Sequence, residues 1–111
     1  MPHIKTTTNV KIDETKLETI KTKMGDAIRL LGKTEDWLML EFHDNITMYF
    51  KGDNQNNIAY IEVKLYGTPS NIDAMTQELT NIISTELNIN PGNIYITYQG
   101  FNSWGYNGTN L

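Results

Sequence analysis

Two stretches of this 111-residue chain repeat one another. LGKTEDWLMLEF begins at Leu31 and LNINPGNIYITY begins at Leu87, and each runs from the last apolar residue of a helix, across a polar linker, into an alternating strand. A strand and an amphipathic helix precede both stretches, so each half predicts strand, helix, strand. The expected elements are strands at residues 3–10, 38–42, 58–66 and 94–98, and helices with apolar stripes over 17–31 and 72–87.

A tandem of two such units predicts one four-stranded mixed sheet. Each unit is expected to make a right-handed crossover, which places its two strands parallel. The predicted fold class is α/β, an α+β sandwich with a pseudo-two-fold β-α-β repeat and both helices on one face, and residues 1–111 are expected to form a single domain. No third helix remains for the other face, so we expect the sheets of neighbouring subunits to cover it in a closed oligomer.

Local signals set the expected helix ends. Asp13 suits the start of the first helix, and Gly32 suits its C-terminal stop. Ser70, with Asp73 three residues later, predicts a capping box in its acidic form at the start of the second helix. Lys33 then stands just beyond the end of the first helix.

The composition excludes several functional classes. The chain has no cysteine, which excludes disulfides and thiolate chemistry, and its two histidines are too few for an all-histidine metal site. A net charge of −4 argues against binding to nucleic acid or to an anionic membrane surface. The chain start lacks the apolar core of a Sec signal peptide, and no apolar run reaches bilayer length. We therefore expect a cytoplasmic protein that needs no metal or cofactor.

The sequence also resembles a known family from end to end. The motifs that carry the resemblance are Met-Pro at the start, LGK after the first helix, FHD…M.F.G in the middle, P…IYI after the second helix and GYNGT in the tail. In this order and spacing they resemble the macrophage migration inhibitory factor and D-dopachrome tautomerase family. The resemblance implies the tautomerase fold as a homotrimer whose three sheets line a central barrel. It also implies keto–enol tautomerisation of small 2-oxo acids, such as phenylpyruvate, by the N-terminal proline.

Pro2 becomes a free secondary amine if Met1 is removed. Such an amine is more basic than the α-amino reference of about 8, so at neutral pH it would be protonated. Burial in an apolar pocket and a nearby cation both lower an amine pKa, and proton abstraction next to a carbonyl needs a base whose pKa is near the working pH. The resemblance assigns the cation to Lys33, which would also hold the substrate carboxylate. Without the resemblance, Pro2 is an ordinary chain start and Lys33 a solvated lysine near a helix C-terminus.

The resemblance also implies substrate-binding groups on two strands. Tyr95 matches a family tyrosine that a neighbouring subunit contributes, and Thr97 stands where the family often has asparagine. A strand backbone amide that binds substrate falls on Tyr66 or Leu65; we favour Tyr66, because Gly67 then matches a family glycine. The alternative role for Tyr95 is ordinary aromatic packing across the sheet.

Pocket walls follow from the same resemblance. Trp37 and Trp104 fall at aromatic or aliphatic pocket positions and would favour aryl substrates by stacking. Leu111 aligns with a C-terminal phenylalanine, so one aromatic wall is replaced by leucine. His3 is a candidate for the mouth beside Pro2. The alternative for the two tryptophans is ordinary core or subunit-interface packing, and for His3 it is a structural or solvent-exposed position.

The resemblance leaves a second function open. The chain could be a cytokine-like secreted ligand for a cell-surface receptor, exported without a signal peptide, with its tautomerase activity vestigial. A structural trimer without activity is the third interpretation. A thiol–disulfide oxidoreductase is excluded, because IAYI stands where some family members carry Cys-x-x-Cys. The expected partners are therefore other copies of the chain, a small 2-oxo acid or aryl enol, and in the second interpretation a receptor.

Overall fold

A four-stranded mixed sheet carries both helices on one face. The computed structural model describes residues 1–111. The sheet consists of β1 (Pro2–Thr8), β2 (Met39–His43), β3 (Ala59–Tyr66) and β4 (Ile94–Phe101); the helices are α1 (Glu14–Ala27) and α2 (Ile72–Leu87); and the hairpin strands are β5 (Gly105–Tyr106) and β6 (Thr109–Asn110). Short 3₁₀ turns lie at Ile28–Leu31, Glu35–Trp37 and Pro91–Asn93. The predicted fold class is confirmed.

The strand order β2-β1-β3-β4 reflects the internal repeat. β1 pairs with β2 in parallel, and β3 pairs with β4 in parallel, so each half of the chain contributes one parallel pair. The two halves meet where β1 runs antiparallel to β3, with Pro2 opposite Leu65. The start of β1 therefore lies beside the end of β3, in the middle of the sheet.

The hydrophobic core lies between the sheet and the helices. β1 and β3 bury alternate residues along their whole lengths, as expected for strands with one covered face. The strand side chains in this core include Ile4, Ile61 and Val63, and the helices add Met24 from α1 and Leu79 from α2, all at most 1% exposed. This alternation is the pattern that identifies the strands in the sequence.

The opposite face of the sheet has no helix over it. Met39 in β2 and Tyr95 in β4 lie on this face with 67% and 60% of their surface exposed. Large apolar side chains in such a position mark a surface suited to contact with another protein. The open face is therefore available to other copies of the chain.

The helix ends follow the sequence signals at α1 but not at α2. The Asp13 side chain accepts the Lys16 N–H at 2.8 Å, and a left-handed Gly32 (φ 73°) ends the 3₁₀ turn after α1. The capping box predicted at Ser70 is wrong, because the N-cap of α2 is Asn71 in a left-handed conformation (φ 56°). The Asn71 side chain instead donates to the Leu30 carbonyl oxygen at 2.9 Å, which ties the start of α2 to the turn after α1.

Gly100 is required where β4 passes the end of β3. A Cβ atom at Gly100 would overlap the carbonyl oxygen of Gly67. The backbone N–H of Gly67 donates to the carbonyl oxygen of Phe101 at 2.9 Å, so this contact is part of the strand pairing. We expect Gly100→Ala to lower the free energy of unfolding by about 1–3 kcal/mol, because the clash is with backbone. Urea unfolding measures this, with Gly105→Ala as the matched control, since a Cβ there meets nothing closer than 3.4 Å. Equal midpoints for the two variants would contradict the prediction.

Candidate active site

A cavity of about 450 Å³ opens at the start of β1. Its walls come from three separate segments: residues 1–3 at the chain start, 36–39 entering β2, and 104–106 in the tail. His3 pairs with Met39, and the end of β4 at Phe101 pairs with Tyr66 next to the partner of Pro2, so these segments meet at one end of the central strands. A larger groove of about 620 Å³, elsewhere in the molecule, is lined mainly by uncharged polar side chains and no ionisable one, so it offers no acid–base chemistry.

Pro2 is a buried residue in the wall of this cavity. Proline has no N–H to donate to the ladder, which disfavours it inside a strand, but it is tolerated at the first position of one. Met1 lies in front of it, half-buried, and the Met1 carbonyl oxygen accepts the backbone N–H of Tyr66 at 3.3 Å. The chain start is thus held against the end of β3.

The electrostatics at the chain start favour a neutral amine. Burial lowers the pKa of the Met1 amine below its ordinary value, and the positive charge of Lys33 lowers it further. The Lys33 ammonium donates to the Tyr66 carbonyl oxygen at 3.5 Å, although Lys33 does not line the cavity. Pro2 itself is more deeply buried than Met1 and follows it directly in the chain.

Three aromatic side chains line the cavity. Trp37 and Tyr106 meet edge to face with ring centroids 5.3 Å apart, and Trp104 packs against Phe101 at 5.9 Å. Tyr106 reaches Trp37 because the β5–β6 hairpin turns through Asn107 and Gly108, both left-handed, as two-residue hairpin turns require. An aromatic wall suits an aryl ligand.

Tyr95 and Thr97 lie away from Pro2 within the same chain. They pair with Tyr60 and Glu62 in β3, whereas Pro2 pairs with Leu65. Five residues separate Tyr60 from Leu65 along the strand, or roughly 17 Å at about 3.3 Å per residue. A site that contains Pro2 and Tyr95 together must therefore draw them from two chains.

Both β4 residues have local contacts of their own. The Tyr95 ring meets Phe50 edge to face at 5.0 Å, and Tyr95 also lines a smaller apolar cavity of about 200 Å³. The Thr97 hydroxyl lies 2.9 Å from the Tyr60 hydroxyl on the open face of the sheet. Neither contact occupies the exposed part of Tyr95, which stays accessible to a neighbouring molecule.

Two further candidates occupy the edges of the site. The Leu111 N–H donates to the Trp104 carbonyl oxygen at 2.9 Å, but the Leu111 side chain is 50% exposed and does not line the cavity. His3 lines the cavity, and its Nε2 lies 2.9 Å from a Glu41 carboxylate oxygen. Hydrogen bonds from His43 and His3 lower the pKa of that carboxyl below its usual range.

The described residues contain no cluster that fits a metal ion. No group of three or more histidine, aspartate and glutamate side chains is arranged to hold one. No helix is both long and apolar enough to cross a membrane.

The fold and the site define a small two-helix β-α-β repeat protein with a proline in the wall of an aromatic cavity. A family model described as Macrophage migration inhibitory factor (MIF) matches residues 1–111, and the chain belongs to this family. No curated protein sequence matches it significantly.

Solved structures agree with the family assignment. MIF2 of Leishmania major is 31% identical with a TM-score of 0.93, and the match covers 100% of this chain and 97% of that one. The MIF homologue of Prochlorococcus marinus is 25% identical with a TM-score of 0.82 over 97% of each chain. A MIF-like protein of Entamoeba histolytica is 19% identical with a TM-score of 0.88 over 99% of this chain and 98% of that one, which shows the fold alone.

The sequence interpretation did not place Tyr106 and Asp36 in the cavity, and it also missed the lining residues Leu38, Met39 and Gly105. The Asn107–Gly108 pair is a recognisable hairpin signal and could have placed Tyr106 next to a turn. Asp36 follows Glu35 in a short polar linker, and no sequence pattern distinguishes which of these two carboxylates turns towards the cavity.

Proposed function

We propose that this protein is a keto–enol tautomerase of phenylpyruvate-like 2-oxo acids that uses Pro2, freed by removal of Met1, as its base. The observation that carries the proposal is the position of Pro2, buried in an aromatic cavity where burial and Lys33 lower the pKa of the chain-start amine. Membership of the MIF family supports tautomerase chemistry in general. The choice of phenylpyruvate and the role of Pro2 are the proposal.

In the proposed reaction the neutral Pro2 nitrogen removes a proton from the carbon next to the substrate keto group. The electrons of that C–H bond form the C=C bond of the enol, the C=O π electrons move to the oxygen, and the protonated Pro2 amine returns the proton to that oxygen. The same steps in reverse convert the enol to the keto form. Lys33 holds the substrate carboxylate and keeps the pKa of the Pro2 amine low. The step is general acid–base catalysis with electrostatic assistance.

Removal of Met1 has a second consequence at Tyr66. The Tyr66 N–H now donates to the Met1 carbonyl oxygen, so it would lose its acceptor when Met1 is removed. A backbone N–H left without a partner beside Pro2 is suited to bind a substrate oxygen. This favours the Tyr66 amide over the Leu65 amide, because Leu65 is the residue that pairs directly with Pro2 in the sheet.

The proposed enzyme is a homotrimer. Tyr95 and Thr97 are too far from Pro2 in their own chain, and Tyr95 is exposed on a sheet face that no helix covers. A neighbouring chain that covers this face would present Tyr95 to the cavity of the next chain. Trp37 and Trp104 would then hold the aryl ring of the substrate, and Leu111 would lie at the edge.

Enol phenylpyruvate provides the direct test. We expect Met1-free protein, verified by mass, to convert the enol to the keto form well above the buffer rate. Protein with two residues added before Pro2 should stay at the buffer rate, because its Pro2 nitrogen is an amide. If the extended and the Met1-free proteins are equally fast, the proposed base is wrong.

Lys33 gives a prediction about pH. The Pro2 amine acts only when neutral, so kcat/KM should rise as the pH rises through its pKa. The Lys33 charge lowers that pKa, so Lys33→Gln should move the rising limb to higher pH and slow the enzyme most on the acidic side. It should also raise KM about tenfold through loss of the carboxylate contact. Lys11→Gln, at an exposed lysine beyond the other end of β1, serves as the control.

A cytokine-like role is the second candidate function. The matching family is described as a macrophage migration inhibitory factor, and this chain would in that case act outside the cell on a receptor. Pure protein added to macrophages tests this role. Inhibition of migration that persists in a Pro2→Gly variant without tautomerase activity would support receptor binding, and no effect of either protein would count against it.

A further inference from the structure

Asp36 is the one carboxylate in the wall of the aromatic cavity. It is exposed, and it takes part in none of the ion pairs of the chain. His3, the only basic side chain in the wall, is already engaged with Glu41. A free negative charge therefore stands at the edge of an otherwise apolar and aromatic space.

The adjacent carboxylate, Glu35, is directed elsewhere. A Cβ atom added to Gly25 of α1 would overlap the Glu35 carboxylate, so Glu35 packs directly against the helix backbone at this glycine. Asp36 follows it in the same 3₁₀ turn and lines the cavity. The turn thus separates the two acidic side chains, one towards the helix and one towards the cavity.

Aromatic rings flank this charge. Trp37, the next residue, and Tyr106 stand almost perpendicular, with an interplanar angle of 87°, and they are 50% and 46% exposed. The face of an aromatic ring attracts a cation, and most strongly so for tryptophan. A carboxylate beside two ring walls is a combination that favours an organic cation or a strong hydrogen-bond donor over an anion.

The charges at the two flanks of Pro2 have opposite signs. Lys33 reaches the β3 flank, where its ammonium contacts Tyr66. Asp36 belongs to the segment that leads into β2 on the other flank, three residues before Met39, the strand partner of His3. A 2-oxo acid with its carboxylate towards Lys33 would therefore direct the far end of its aryl ring towards Asp36.

We propose that Asp36, with Trp37 and Tyr106, selects substrates that carry a cationic or hydrogen-bond-donating group at the end of the aryl ring remote from the 2-oxo acid. The orientation of the substrate rests on the proposed tautomerase function, whereas the preference of this wall for a cation does not. A ring with an anionic group at that end is disfavoured by the same charge.

Tryptophan fluorescence tests the preference without catalysis. The chain has two tryptophans, Trp37 and Trp104, and both line this cavity, so a bound ligand should change the emission. We expect benzylammonium to bind about fivefold to tenfold more tightly than benzyl alcohol at low salt. Asp36→Asn should remove the difference, while Asp36→Glu should keep most of it. Asp26→Asn, at an exposed aspartate of α1, should leave it unchanged.

Turnover provides the second readout and separates this inference from the proposed function. The substrates are phenylpyruvates with a trimethylammonium group or a neutral tert-butyl group at the para position, which have the same shape. Asp36→Asn should lower the kcat/KM ratio of the cationic to the neutral compound about fivefold or more. An unchanged ratio, together with unchanged benzylammonium binding, would overturn the inference.

The two hypotheses fail in different ways. If neither substrate is converted but Asp36→Asn alone abolishes the preference for benzylammonium, the tautomerase proposal fails and the cation preference of Asp36 is supported. If both substrates are converted and benzylammonium binds no better than benzyl alcohol to the unmodified protein, the tautomerase proposal is supported and the inference about Asp36 is wrong.

Discussion

Replacement of Pro2 by glycine in Met1-free protein is expected to lower kcat/KM for phenylpyruvate by about 10²-fold or more, which is the usual contribution of a positioned general base. Glycine keeps an amine at the chain start, so the loss arises from position and basicity. The proline ring fixes the nitrogen in the cavity wall opposite Leu65, whereas an N-terminal glycine is free to rotate out of it.

The measurement compares initial rates of enol conversion for the two proteins after their N-termini are verified by mass. The Gly variant should keep the fold, because the core strands β1 and β3 still pair along the rest of their length. Matching thermal unfolding of the two proteins excludes a general loss of structure. If rates are equal in proteins that both begin at residue 2, Pro2 has no part in the reaction.

The sheet could be predicted from the sequence where alternation is regular. β1 and β3 alternate along their entire length; the structure places β3 within one residue of the expected bounds, whereas β1 ends at Thr8 instead of at the expected Val10. β4 was predicted to end at Tyr98 but continues to Phe101, because its backbone pairs with β3 through a stretch where Gln99 and Gly100 give no alternating signal. The end of this strand is decided by its partner strand and not by its own sequence.

The site could be predicted only in part, for a geometric reason. Pro2, Trp37 and Trp104 share one cavity, although they lie far apart in the chain. The resemblance pointed to these positions and included Tyr106 in its GYNGT motif, but it gave no role in the cavity to Tyr106 or Asp36, which depend on a hairpin and on a 3₁₀ turn. The roles of Lys33, Tyr66 and Leu111 stay predictions.

Mixing two inactive variants should restore activity if each site is shared between chains. Tyr95→Ala removes one half of the proposed site and Pro2→Gly removes the other, and each variant alone should be inactive. In heterotrimers assembled at random from equal amounts, an intact site needs Pro2 from one kind of chain and Tyr95 from the next. About one site in four then has both residues, so the mixture should regain about a quarter of the unmodified activity per chain.

Co-expression of differently tagged chains makes this measurable: the tags confirm that mixed oligomers form, and the activity per chain is measured on the whole pool without fractionation. The matched control combines unmodified chains with the double variant Pro2→Gly/Tyr95→Ala. Kept as separate trimers, this mixture has about half of the unmodified activity per chain. Random assembly leaves about one site in four with both residues and so lowers the activity to about a quarter, whereas mixing the two single variants raises it. The roughly 17 Å between Pro2 and Tyr95 along the sheet predicts this opposition. If mixing leaves both activities unchanged although mixed oligomers form, then each chain works alone and Tyr95 contributes nothing to the site of a neighbouring chain.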